Sequence, residues 1–599
     1  MKKQFYTNYG NIQIIICLLK KYGIKHIVVS AGNRHSPLVH SLENERLNHK
    51  DFFKTYSVVD ERSASFVALG LIQKLHEPVA ICCTSGTASC NYVSAVQEAF
   101  YQQLPLVVIT ADRNPMYLYQ QEEQMAVQQN LFAGACKKEV TLPIVRDEKD
   151  AWYCSRLVNE ALMDVVQGVA GPVHINYPVE NDYPVEGGFM DFDTEILPDV
   201  RKTERLLLSD SDEKWQKWAE ELREKKILVI YGQYRPLTND EIVSIEMFCK
   251  KFNCVISTDL LSNLNCSKAV DSTLLAKVIS GDEIASNSPD VIMTMNGNSI
   301  AVLKLRIPVA EKNIRHIHIS EAGLISDPFK VLSDSVACSP ILFFQKISNY
   351  VYEIASDSYF NYWNNLLKKI RTQVDIFKIK IDWSAVYTTQ QIMKDIPENS
   401  LLHLANSNSV RLCSLFPVKK GVEVYCNRGT NGIDGSMSSF VGNCMYHDGL
   451  CFLFIGDLSF FYDMNALWNR FVNPKMRILV NNNAGGAIFY TYPSLKNIPT
   501  LADNIAAEHS ASVRAWAEDR GFLYFACRTE KELEEAKLIF FDTDSEKPVL
   551  IECFTEKNGD ADAISQFIAS FSDATTNLKK SIASHLSPEL KAKIKKIIR

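Results

Sequence analysis

No run of apolar residues in this chain approaches the roughly 20 that a membrane-spanning helix needs, which excludes a helical span. A surplus of positive charge is also missing. The 64 Lys and Arg stand against 70 Asp and Glu, a net of -6, so the footprint expected of a nucleic-acid binder is absent. No two of the 16 cysteines form a CxxC pair, which leaves zinc without its ligand spacing. Several thiols lie inside apolar runs instead, among them Cys82 and Cys83 in AICCTSG, Cys413, and Cys553 in LIECF. A reduced thiol packs there as a small core residue. Low-complexity tracts and exact repeats are lacking as well. The opening MKKQFYTNYGNIQIIICLLKKYG carries two Lys, but its apolar part is short and helical in period, and no small-residue cleavage site follows. It reads as the first helix of the fold, and the protein as cytoplasmic.

What is present is an ordinary globular composition, 46% hydrophobic and 22% charged, over 599 residues. That length is too great for one core. The first third alternates short apolar runs (HIVVS, PVAICCTSG, LPLVVITADR, PVHINYPV) with helical stretches such as RSASFVALGLIQKLH and TASCNYVSAVQEAFYQQ. Continuous apolar strands separated by amphipathic helices predict a parallel sheet covered on both faces. The pattern breaks at the acidic, Gly- and Pro-containing PVEGGFMDFDTEILPDV. A second set follows with ILVIYG, CVISTD, DVIMTMNG and RHIHIS, then a third with SLLHLANS, EVYCNRG, CFLFIGD, RILVNNN and PVLIECF. The expectation is an α/β protein of three consecutive doubly wound parallel-sheet domains, at 1–185, 186–375 and 376–599. The tail LKAKIKKIIR reads as a solvated basic helix.

The polar residues gather just after the strands, where open α/β sheets bind ligands. CFLFIGD stops at Gly456 and Asp457; RILVNNNAGG brings Asn483, Gly485 and Gly486 to the end of another strand, with YDMNALWNRFV read as the crossover helix. A carboxylate, an amide oxygen and a backbone carbonyl are hard ligands that suit Mg²⁺ with a phosphate, and the glycines admit close backbone approach. The same residues could equally form a helix cap and an Asn-rich turn. Asp60 and Glu61 open a helix after YSVV. They are acids favoured by a helix N-terminus, or place a Glu to bind a protonated ring nitrogen.

Taken together, Glu61, the GD motif and the later Asn–Gly cluster resemble the thiamine-diphosphate enzymes of the pyruvate-oxidase and decarboxylase type. SAGNRHSPL, DERSASFVALGL, CTSGTASCNY, NRGTNGIDG and GDLSFFYDMNAL are similar to the branch of that superfamily that serves menaquinone biosynthesis. The resemblance implies a pyrimidine-binding, a middle and a diphosphate-binding domain. It implies decarboxylation of 2-oxoglutarate and 1,4-addition of the resulting carbanion to isochorismate, the hard chemistry belonging to the cofactor. It casts Glu61 as the carboxylate that hydrogen-bonds the aminopyrimidine ring and favours its imino tautomer. Asp457, Asn483 and the Gly485 carbonyl become the Mg²⁺ ligands, which Mn²⁺ would also fit. Gly456 lies beside the diphosphate, and Ile433 supports the bent cofactor. Arg34, Arg113, Gln124, Ser407, Arg411 and Arg428 are implied to hold the anionic substrates, planar guanidinium forks being suited to carboxylates. Ile488 and Phe489 would form an apolar wall. A homodimer, or a dimer of dimers, follows from the family's site at a subunit boundary; neither nucleic acid nor membrane is an expected partner.

Some positions depart from the family. Asn33 stands where Ser is usual, Ala484 and Ala487 where polar or Gly residues are common, and the Asp457-to-Asn483 spacing is one residue short. Lys304 and Arg306 replace a more regular basic pair. Glu122 and Glu123 bring carboxylates where the family is neutral, and would repel an anion unless they point away. Two alternatives stay open: a related thiamine-dependent carboligase with another acceptor, and a degenerate relative that binds without catalysis.

Overall fold

The computed structural model describes residues 5–48, 52–166, 168–179, 192–203, 212–300, 303, 306–307, 313–321, 326–329, 331–373, 375–492, 494–495 and 498–585. Three six-stranded sheets succeed one another, and every ladder in them is parallel. Across the first sheet the strands run Lys54–Ser57, His26–Val29, Val79–Cys83, Leu106–Arg113, Val173–Val179 and Lys138–Thr141. The third sheet runs Glu423–Cys426, Leu401–Leu404, Cys451–Gly456, Met476–Asn482, Val549–Phe554 and Leu523–Cys527. Counted along the chain, both follow the order 2-1-3-4-6-5. The middle sheet runs Ala269–Asp271, Cys254–Thr258, Ile227–Tyr231, Val291–Met295, Arg315–Ser320 and Leu332–Ala337, the order 3-2-1-4-5-6 of doubly wound dinucleotide folds. Among the described residues no helix is long and apolar enough to cross a membrane.

The central strands form because they bury both faces. Val79–Cys83, Leu106–Arg113 and Met476–Asn482 are buried at every position, and each buried Val, Ile or Leu contributes about 1.5–3 kcal/mol. The five strands of these three sheets that the apolar runs do not announce are all edge strands. Lys138–Thr141 buries only Val140, Leu523–Cys527 only Cys527, and Leu332–Ala337 buries nothing fully; Ala269–Asp271 has three residues and Lys54–Ser57 four. Two expected helices are corrected. TASCNYVSAVQEAFYQQ splits into Thr87–Cys90 and Val93–Gln102. The single crossover helix after Asp457 is instead a short helix, Asp457–Tyr462, and a 3₁₀ turn, Met464–Trp468. Asp463 between them turns its carboxylate onto Ser438, accepting from its N (2.6 Å) and Oγ (2.7 Å) rather than continuing the helix. The tail LKAKIKKIIR lies outside the described residues.

The first and third domains dock through two helices, Glu61–Leu75 and Ser436–Cys444. Glycine makes the approach possible. A Cβ on Gly70 would lie 2.1 Å from the Ser439 carbonyl oxygen, and one on Gly442 2.2 Å from that of Val67. Asn443 Nδ2 donates to the Gly70 carbonyl (2.9 Å) and Ser439 Oγ to that of Phe66 (3.1 Å). Buried Glu98 of the first domain accepts from Gly429 N (2.9 Å) and from Thr430 N and Oγ1 (both 2.7 Å), holding the NRGT loop of the third. The middle domain covers the edge strand Glu423–Cys426. Asn263 there accepts from Val424 N (2.9 Å) and donates to its carbonyl (2.8 Å), as a neighbouring strand would.

Candidate active site

In the first and third sheets the order reverses between strands one and three, and the loops leaving those strands carry the residues singled out above. Leu404 pairs with Phe454, so Asn406 and Ser407 leave one strand beside Gly456 and Asp457 on the next. Gly456 pairs with Asn481 on the following strand, which leads to Asn483 and Gly485.

Asp457 is 2% exposed. Its Oδ1 accepts from Leu458 N (2.6 Å), and its Oδ2 from Gly485 N across the sheet (3.0 Å). His509 Nε2 lies 3.3 Å from the same oxygen. Burial raises this carboxyl above its ordinary range, against those hydrogen bonds and the His509 charge. Asn483 Nδ2 donates to Asp560 Oδ2 (2.9 Å). Because an ionised carboxylate only accepts, Asp560 fixes which way the Asn483 amide points. The other end, Asn483 Oδ1, is buried without a partner among the described residues. An orphaned amide oxygen beside a buried carboxylate is a donor set for a hard cation. The Gly485 carbonyl accepts from Ala487 N (3.1 Å) and keeps a second lone pair. Gly485 itself has φ 139°, a conformation that favours glycine. A Cβ at Gly456 would meet nothing within 4 Å, so no protein atom demands glycine there. Among the described residues no three His, Cys, Asp or Glu side chains cluster as a metal site, and a cation at Asp457 would depend on these amide and backbone oxygens.

The thiamine pyrophosphate enzyme N-terminal TPP-binding domain matches residues 12–132. The chain is 37% identical to the 2-succinyl-5-enolpyruvyl-6-hydroxy-3-cyclohexene-1-carboxylate (SEPHCHC) synthase of Bacteroides thetaiotaomicron, covering 93% of this chain and 98% of that one. The chain belongs to the SEPHCHC synthase family. It is 35% identical to the Phocaeicola vulgatus synthase (94% and 98% covered) and 32% to that of Flavobacterium psychrophilum (91% and 95%). Benzoylformate decarboxylase from Polynucleobacter necessarius has the same fold, with a TM-score of 0.65 over 92% of this chain and 99% of that one at 16% identity. This is the thiamine-diphosphate-binding fold, and thiamine diphosphate is the cofactor of the family's chemistry.

Glu61 begins its helix but does not cap it; Asp60 does, accepting from Ser63 N at 2.8 Å. Glu61 is left half-buried, and burial raises its carboxyl above the ordinary range. Within the chain, its neighbours reach the third domain through Asp60–Asn465 (2.9 Å) and Arg62–Asp463 (3.8 Å). Among the described residues no bond joins Glu61 to Asp457, Asn483 or Gly485. Ile433 is partly buried, and its carbonyl accepts from Ser459 Oγ (2.6 Å) beside Asp457.

The cationic candidates form separate groups. Arg428 Nη1 donates to Asn406 Oδ1 (3.3 Å), and its Nε is buried without a partner among the described residues. Burial, then the like charge of Arg428, lowers Arg411; burial, then Arg411, lowers Lys277 of the middle domain. Ser407 has φ 69° and opens the Asn408–Cys413 helix without a side-chain cap. Ile488 and Phe489 sit in the 3₁₀ turn Ala487–Thr491, Phe489 against Gly486. Arg34 N donates to Thr84 Oγ1 (3.1 Å) after the first sheet's switch point, next to exposed Asn33. Arg306 donates to the Ala276 carbonyl, and Lys304 lies outside the described residues. Arg113 is bound by Glu122, and Gln124 (φ 52°) lays its carbonyl against Gly86. Glu122 thus spends its charge on Arg113 while staying partly exposed, and Glu123 is exposed.

Asp560, His509, Asn406, Glu98 and Lys277 were not picked out by the sequence reading. Asp560 has a signal after the fact: it opens a helix just after the apolar run PVLIECF, as Asp457 follows CFLFIG. The others carry no pattern of their own.

Proposed function

We propose that the chain catalyses the reaction of its family with 2-oxoglutarate and isochorismate, using thiamine diphosphate and Mg²⁺. The observation that carries this reading is the Asn483 Oδ1 left without a partner among the described residues, two residues before Gly485, whose N binds Asp457. Thiamine diphosphate, when bound, supplies the stabilisation of a carbanion after loss of CO₂. Asp457, Asn483 and the Gly485 carbonyl hold the cation, Gly456 leaves room for the diphosphate, and Ile433 supports the cofactor from below. Glu61 holds a proton at the pyrimidine ring nitrogen, a task that suits a half-buried carboxyl of raised proton affinity. Arg34, Arg113, Gln124, Ser407, Arg411 and Arg428 hold substrate carboxylates, with Ile488 and Phe489 excluding water. Arg411 and Lys277 face like charge and no acidic side chain among the described residues, which favours an anion between them.

A homodimer would bring Glu61 of one protomer to the diphosphate loop of the other. Exposed apolar side chains after the strand ends of the first and third domains support it: Val59, Met116, Tyr119, Tyr462 and Trp468. A monomer in sedimentation at working concentration would refute this pairing. Free cysteines throughout, most of them buried, fit a reducing compartment such as the cytoplasm.

The test is turnover in the presence of thiamine diphosphate, Mg²⁺, 2-oxoglutarate and isochorismate, followed by isochorismate absorbance and product mass. Consumption should need all four components and vanish in Glu61→Gln with folding intact. Bound cofactor with no isochorismate consumed would move the reading to another acceptor. Undiminished activity of Glu61→Gln would refute the proton role.

A further inference from the structure

Arg113 ends the buried strand Leu106–Arg113, with only 4% of its side chain exposed. Its Nη1 meets Glu122 Oε2 at 2.6 Å, and its Nε is buried without a partner among the described residues. Among the described residues Glu122 is the one side chain bound to this guanidinium. The fork is thus half used, by one carboxylate oxygen, where a carboxylate placed squarely would take two donors. The Glu122 side chain is 42% exposed, so the pair is anchored on the arginine side and open to water on the other.

The segment that carries Glu122 is tied at both ends and irregular between. Asn114 accepts from Met116 N (3.2 Å) at its start. At its end Gln128 accepts from Gly86 N (2.7 Å) and donates to the Ala111 carbonyl (3.0 Å) and to Asn176 Oδ1 (2.9 Å). Between them Tyr119, Gln121 and Gln124 all take positive φ, at 66°, 61° and 52°. Residues other than glycine adopt that region only when their surroundings hold them there, and the Arg113 ion pair is one such hold.

We infer that Glu122 is an internal competitor for the substrate carboxylate at Arg113, occupying the guanidinium until a substrate anion engages both its donors and displaces it. The inference rests on the assignment of Arg113 to substrate binding made above. Glu122 thereby sets the affinity and the selectivity of this subsite: an anion that offers a full carboxylate to the fork displaces it, and a weaker acceptor does not. Gln124 follows two residues later in the same segment, so its position relative to Gly86 depends on whether Glu122 is engaged.

The experiment compares wild type, Glu122→Gln, Arg113→Ala and the double variant in steady-state turnover. Glu122→Gln keeps the side-chain shape and removes the charge. It should lower the KM of one anionic substrate by roughly 1.5- to fivefold, the range of a partly exposed ion pair, with a smaller effect on kcat. The gain should disappear in the Arg113→Ala background. An unchanged or higher KM, or a gain that survives without Arg113, overturns the inference. A second readout does not depend on the substrate assignment. Phenylglyoxal should label Arg113 several-fold faster in Glu122→Gln than in wild type, read by mass spectrometry of its peptide. Faster labelling without turnover of the two substrates would uphold the competitor and reject the proposed reaction; equal labelling would reject the competitor itself.

Discussion

Replacing Gly70 with Ala sets two effects of opposite sign against each other. In the middle of a helix the change gains about 1 kcal/mol in propensity. The new Cβ, however, would lie 2.1 Å from the Ser439 carbonyl oxygen and 2.9 Å from Asn443 N. Both are backbone atoms of another helix and cannot step aside singly. The helices Glu61–Leu75 and Ser436–Cys444 must part by on the order of 1 Å to reach ordinary contact. Overpacking of this kind costs about 1–3 kcal/mol. Parting also weakens the Asn443–Gly70 and Ser439–Phe66 hydrogen bonds, each a net of about 1 kcal/mol. The clash wins, with a net loss of roughly 1–4 kcal/mol. For domains of this size that lowers the apparent Tm by about 2–4 °C per kcal/mol. The assay is a thermal melt of wild type and Gly70→Ala side by side, since a chain of three domains need not unfold in one step. Gly281→Ala serves as a control, because a Cβ there meets nothing within 4 Å. Glu61 begins the same helix about two and a half turns away, so turnover should fall with stability. A Gly70→Ala protein as stable as wild type would show that propensity outweighs the contact and refute the close docking of these helices.

Burial raises the Asp463 carboxyl from 3.8 to about 6. Between these values the unfolded chain releases a proton that the folded chain keeps, so stability falls as pH rises through the window, by on the order of 3 kcal/mol. Asp463→Asn lacks this slope, and urea unfolding of both proteins at pH 4 and pH 7 should show wild type losing that much relative to the variant; a difference independent of pH would contradict the assignment. Arg411→Ala or Arg428→Ala should raise a substrate KM by about ten- to a hundredfold, the worth of one hydrogen bond to a charged group. Titration with thiamine diphosphate checks their roles, because lost cofactor affinity would place these arginines at the cofactor instead.

What the sequence disclosed about this fold follows from where information is local. CFLFIGD and RILVNNN are readable because a strand buried on both faces must be apolar throughout, and an acid or amide at its end has no packing reason to be there. An edge strand such as LSDSVA is half exposed, and its residues satisfy solvent as well as sheet; nothing in the six letters marks it. The same contrast holds at the site. Asp457 and Asn483 could be selected by type, yet what makes the Asn483 oxygen available is Asp560, 77 residues later, which claims the other end of the amide. Glu122 inverts the lesson. As a letter it is a negative charge beside an anionic substrate, and repulsion is the natural inference. In the fold it meets Arg113 at 2.6 Å, so its charge acts first on the residue that would bind the substrate. The route by which it opposes binding is therefore set by a contact that spacing along the chain does not reveal. A carboxylate that opposes binding through space and one that opposes it by occupying the receptor arginine differ in one respect: only the second loses its effect when the arginine is removed.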